Sequence, residues 1–106
     1  MSNILALSDA TWKSAVTNSN EPMLVLFHAP WAGPSILALD VFEIANKKVS
    51  KDVNIRFGTF DIDDNPITPQ EFGLKAIPSF MLFDGKALKS VKVGLISDES
   101  IVGMIQ

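Results

Sequence analysis

Met23-Leu24-Val25-Leu26-Phe27-His28 is a nearly unbroken apolar run set between Ser19-Asn20-Glu21-Pro22 and Ala29-Pro30. A β-strand sends successive side chains to opposite faces, so a strand that is apolar at every position must be covered on both. This run therefore reads as a central strand, and the fold around it needs helices on both sides of a sheet.

The flanking segments supply them. Ile4-Leu5-Ala6-Leu7 is a short apolar strand, and Ser8 is a suitable N-cap for a helix with Trp12, Ala15 and Val16 on one face. After Pro34 the period changes: Ile36, Leu37, Leu39, Val41, Phe42, Ile44 and Ala45 are spaced like a strongly buried helix running to about Val49, with Pro34 in its first turn. Alternation of Val53, Ile55, Phe57 and Phe60 with polar residues predicts a strand over Asp52 to Phe60. Asp61 to Pro66 forms a loop and cap cluster, Thr68 to Phe72 a short helix stopped by Gly73. Pro78 to Phe83 and Ala87 to Val93 read as a hairpin turned at Asp84-Gly85, and Ser97-Asp98-Glu99 opens a last helix. The order is β-α-β-α-β-α-β-β-α, with parallel pairing in the alternating part and an antiparallel pair at the end. An α/β fold with a mixed five-stranded sheet and four helices follows, as a single domain over residues 1–106.

Composition narrows the function. Twelve acidic and nine basic residues leave a net charge of −3 with no dense basic cluster, which argues against nucleic acid as a partner. No segment approaches the roughly 18 apolar residues of a membrane span, and Met1 to Leu7 lacks a basic, apolar leader, so no membrane association and a cytoplasmic location are expected. The chain has no cysteine and one histidine. That excludes a disulfide framework, a thiolate metal site and a catalytic thiol, and neither metal nor cofactor is expected.

The segment Phe27-His28-Ala29-Pro30-Trp31-Ala32-Gly33-Pro34-Ser35 resembles the active-site region of the thioredoxin family, which carries Trp-Cys-Gly-Pro-Cys between a strand and a helix. Asp61-x-Asp63-x-Asn65-Pro66, Phe72-Gly73-Leu74, Ala76-Ile77-Pro78-Ser79 and Lys92-Val93-Gly94 follow in that family's order and spacing over essentially the whole chain. The resemblance implies the thioredoxin fold and a parent activity of dithiol-disulfide exchange with protein substrates. In that chemistry a thiolate at a helix N-terminus attacks a substrate disulfide, and a second thiol resolves the adduct.

Ala32 and Ser35 occupy the positions of the two thiols. Ala32 has no nucleophilic atom, and the Ser35 hydroxyl neither ionises near neutral pH nor forms a disulfide. The resemblance also implies a cis proline at Pro78 and an apolar docking patch made of Trp31, Gly33, Pro34, Ile77, Pro78, Gly94 and Leu95. Implied partners are a thioredoxin reductase, flavin-dependent or ferredoxin-linked, and disulfide-containing client proteins, met by a monomer. The family's buried acid and nearby lysine correspond to Leu26 and Thr59, so its proton-handling pair is absent.

Other candidates weigh less. A lone histidine such as His28 is more often a surface or packed residue than a switch, although its resting pKa of about 6.5 makes it sensitive to surroundings. Asp61, Asp63 and Asp64 lack the spacing of a calcium loop and read as solvated loop and cap residues, while Ile36, Leu39, Phe42 and Ile44 read as core. Two readings of function stand: a protein-disulfide reductase whose thiols were replaced, or a natural redox-dead relative that works as a binding module on the retained docking face.

Overall fold

The computed structural model describes residues 3–49 and 51–105. The single-domain span and the reading of the segment from Met1 therefore include, at Met1, Ser2, Ser50 and Gln106, residues outside the described ones.

Five strands form one sheet: β1 (Leu5–Leu7), β2 (Met23–His28), β3 (Arg56–Asp61), β4 (Ser79–Asp84) and β5 (Ala87–Val93), in the order β1-β3-β2-β4-β5. The pairs β1-β3 and β2-β3 are parallel, and β2-β4 and β4-β5 are antiparallel. Helix α1 (Gly33–Lys48) makes the crossover between β2 and β3, α2 (Ile67–Glu71) lies between β3 and β4, and α3 (Asp98–Gly103) follows β5. With a π-helical turn at Lys13–Thr17, this is the expected succession of elements.

Strand β2 divides the core as its sequence requires. Met23, Val25 and Phe27 join Leu7, Trp12, Val16, Phe60, Met81 and Phe83 on one side of the sheet, whereas Leu24 and Leu26 join Ala38, Phe42, Ala45, Phe57, Phe80 and Ile101 on the other. Leu24, Val25, Leu26 and Phe27 are completely buried. On the first side the Trp12 ring meets Phe83 and Phe60 edge-on, with centroids 5.0 and 5.7 Å away, geometries that favour aromatic rings beyond their burial. At Gly58 a Cβ would come within 2.7 Å of Leu7 Cδ1 and 2.9 Å of Met23 Sδ, so the close packing of β1 and β2 side chains over β3 depends on glycine.

Several boundaries differ from expectation for physical reasons. The helix after Ser8 contracts to a turn: Ser8 and Thr11 bond each other reciprocally, and the Asn18 N–H reaches the Lys13 carbonyl at 2.9 Å, five residues back. Strand β3 begins at Arg56, where Met23 of β2 first lies opposite, and not at Asp52. The hairpin loop is Gly85-Lys86, one residue later than Asp84-Gly85. Gly85 alone of the two has positive φ (60°), as a two-residue turn with glycine in its first position requires. Ile36 and Ile44, read as core, are 52% and 48% exposed, because the 3.6-residue period turns Ser35, Ala38, Phe42 and Ala45 toward the sheet instead.

Candidate functional site

The chain leaves β2 at His28 and enters α1 through Ala29–Ala32. Ala32 has extended backbone (φ −95°, ψ 114°), and its carbonyl accepts from the N–H groups of Ser35 at 2.9 Å and Ile36 at 3.2 Å. Pro34 lies in the first turn, where its missing N–H leaves no bond unmade. Ala32 and Ser35 thus stand at the start of a long helix, the placement the motif demands, with Ala32 half-buried and Ser35 wholly buried. The Ser35 Oγ is closed off from solvent and has no hydrogen-bond partner among the described residues.

Trp31 is 68% exposed, yet its ring is held: Nε1–H donates to Asp63 Oδ1 at 2.7 Å. The Asp63 N–H in turn donates to Asp61 Oδ1 at 2.9 Å. The loop after β3 therefore clamps the loop before α1, a role for Asp61 and Asp63 that their spacing in sequence did not disclose. Among the described residues no group of three or more His, Asp or Glu side chains is arranged to hold a metal ion.

The Ile77–Pro78 peptide is cis, as the resemblance implied. The Pro78 carbonyl accepts from the Gly94 N–H at 2.8 Å, joining the segment before β4 to the end of β5, and the Ser79 hydroxyl donates to the Ala76 carbonyl at 2.7 Å. Trp31 and Ile77 share a shallow groove of about 220 Å³ with Ile62, Leu74, Lys75 and Ala76. Of the remaining docking candidates, Gly33, Pro34 and Leu95 are exposed and Gly94 is half-buried. Pro78 itself is fully buried, which leaves its backbone as its contribution to a surface.

Leu26 and Thr59 lie side by side in the register of β2 and β3. Leu26 is completely buried, and Thr59 opens into a cavity of about 380 Å³ between the β1-β3 edge and α1, whose lining includes Asp40 and Glu43. Neither Leu26 nor Thr59 can exchange a proton near neutral pH. His28 is half-buried, with Nδ1 unpartnered among the described residues, and Asp61 faces it in register on β3. Burial lowers the imidazole pKa from its ordinary value, and the Asp61 carboxylate opposes part of that shift. His28 stands out in the sequence but its carboxylate neighbour does not, since the two residues meet only through strand pairing.

No helix among the described residues is long and apolar enough to cross a membrane. The thioredoxin family model matches residues 3–106 of this chain. The chain is 32% identical over 99 residues to a thioredoxin of Rickettsia prowazekii, covering 93% of this chain and 92% of that protein. It is 34% identical over 103 residues to a thioredoxin of Acidithiobacillus ferridurans, with 96% and 93% covered, and 32% identical over 106 residues to one of Haemophilus influenzae, with 99% and 96% covered. A strand-to-helix turn carrying Trp-Ala-Gly-Pro-Ser, a cis proline after Ile77 and a family match along nearly the whole chain agree: this protein belongs to the thioredoxin family.

Proposed function

We propose that the parent activity of this chain is dithiol-disulfide exchange with protein substrates, and that the chain as it stands keeps the site's frame without its chemistry. The observation that carries the reading is the buried, unpartnered Ser35 hydroxyl. A hydroxyl in that place loses water and gains nothing in return, whereas a thiol is a weak hydrogen-bonding group that packs as a small apolar side chain. The pocket is suited to the thiol it would hold in a working relative. Trp31, Gly33, Pro34, Ile77, Pro78, Gly94 and Leu95 would seat the substrate segment, with the backbone around cis-Pro78 beside it. A thioredoxin reductase and disulfide-bearing clients are the corresponding partners, and a monomer is the corresponding state.

A second reading, a natural redox-dead binding module, draws on Leu26 and Thr59. An apolar side chain completely buried where the family handles protons is compatible with a site released from catalysis. The double substitution Ala32→Cys with Ser35→Cys separates the two. On the first reading the thiolate introduced by Ala32→Cys attacks a substrate disulfide and expels one thiolate. The thiol introduced by Ser35→Cys then attacks the mixed disulfide, releasing the second thiolate and leaving an intramolecular disulfide. Insulin reduction driven by dithiothreitol should therefore rise well above the uncatalysed rate in the double variant and stay at background in the parent chain. A folded double variant that forms its disulfide yet does not accelerate reduction would favour the binding module.

A further inference from the structure

Among the described residues strand β5 has a neighbour on one side only, because it ends the strand order at β4-β5. Every residue of Ala87–Val93 except Ser90 is exposed. What its open side offers is set by the ladder with β4. The Gly94 N–H bonds the Pro78 carbonyl, so that pair belongs to the hydrogen-bonded class. Antiparallel alternation then assigns Phe80↔Lys92 and Leu82↔Ser90 to the same class and leaves Ser79↔Val93 and Met81↔Val91 in the other. The N–H and C=O groups of Val91 and Val93 consequently point away from β4, toward the open edge.

The side chains along this edge have a pattern of their own. Val91 and Val93, 45% and 58% exposed, lie on the sheet face of Met81, while Lys92 lies on the other. Lys89 and Lys92 on β5, with Lys86 in the adjoining loop, place three of the nine basic residues of a net acidic chain on one hairpin. None of them is in an ion pair among the described residues.

We infer that the open edge of β5 takes up an extended segment of another protein in which apolar residues alternate with carboxylates. Main-chain bonds form to Val91 and Val93, apolar side chains lie beside these two valines, and a carboxylate lies opposite Lys92. Charge favours this occupant over a second copy of the chain, since pairing β5 with itself antiparallel, Val91 opposite Val93, would set Lys92 against Lys92, and a lysine on an edge is a usual protection against self-association. The site is independent of Ala32 and Ser35, and it extends the protein's contacts beyond the docking face of the proposed function.

The test is a titration of the full ¹⁵N-labelled chain with a capped peptide of alternating valine and glutamate, against the same peptide with lysine for glutamate. Amide hydrogen exchange at Val91 and Val93 is expected to slow at least about tenfold with the acidic peptide, and the lysine peptide to bind at least about tenfold more weakly. Lys92→Glu should reverse this preference, and Lys89→Glu should weaken it without touching a ladder position of the site. The inference is overturned by absence of binding at millimolar peptide, by binding that leaves the Val91 and Val93 amides unchanged, or by equal affinity for the two peptides. A dimer of the free chain that protects those same amides would overturn the choice of occupant.

Discussion

A hydroxyl shut away from water between α1 and the sheet, with no group to bond among the described residues, weakens the fold at Ser35. Leaving a buried polar group unsatisfied costs about 1–3 kcal/mol. Ser35→Ala removes the group at the expense of one small atom, and Ser35→Cys replaces it with a softer one. Both variants should be more stable than the parent, by about 1 kcal/mol in urea unfolding; a loss of stability in Ser35→Ala would show that the hydroxyl is bonded in solution. His28 presents the complementary case of a titrating group. Burial lowers its pKa from the ordinary 6.5 and Asp61 raises it only in part. The unfolded chain therefore takes up a proton at higher pH than the folded one. The contribution is complete above the ordinary value and is lost as pH falls from there through the folded-state pKa. Stability measured from about pH 8 to about pH 5 should fall more steeply in the parent than in His28→Asn. Equal slopes would mean that His28 is as well solvated folded as unfolded. Motif spacing located both residues; the missing partner of one and the charged neighbour of the other belong to the packing.

At the scale of elements, α2 shows how little a short helix owes to its own sequence. Pro66 precedes it and makes no side-chain cap, and the capping is done by a residue nearly sixty positions earlier in the sequence. The Asp9 carboxylate accepts from the N–H groups of Ile67 at 3.1 Å and Thr68 at 2.8 Å, while its own N–H donates to Asn65 Oδ1 at 3.0 Å. Partial desolvation works to raise the Asp9 pKa, but the Thr68 and Ile67 hydrogen bonds outweigh it and hold the carboxyl below its ordinary 3.8. Such a group stabilises the fold above its unfolded value and loses that contribution as pH falls through the folded one. Asp9→Ala should thus lower Tm by a few degrees at neutral pH, with the gap closing in acid as the parent's carboxyl protonates. A gap unchanged in acid would rule out the charged cap. Two further cross-links are invisible in one dimension: Arg56 Nη2 donates to the Ala15 carbonyl at 2.6 Å, and Lys48 of α1 pairs with Asp98 of α3. Ser97, by contrast, caps α3 locally by accepting from the Ser100 N–H at 3.1 Å, and that start was legible in the sequence.

Across the whole molecule, the two core clusters lie on opposite faces of one sheet and share β2, whose side chains alternate between them. Loss of either cluster uncovers one face of that strand, so the domain should unfold in one cooperative step. In a Trp31→Phe variant the remaining Trp12 reports on one cluster by fluorescence, and far-UV circular dichroism reports on the helices, chiefly α1 on the other face. The two denaturation curves should coincide, and separated midpoints would show that the faces come apart independently. Local chemistry along the chain dictates a central strand from an apolar run without alternation, crossover helices from a change of period, a hairpin from glycine, and an empty redox site from the absence of cysteine. The motif order of the sequence also carried the family. The tertiary structure alone decided the strand order, the exposure of Ile36 and Ile44, the Trp31–Asp63 clamp, the Asp9 cap on α2 and the solitude of the Ser35 hydroxyl. Each of these depends on which distant groups share a surface and which are shut off from water, and no spacing along the chain encodes that.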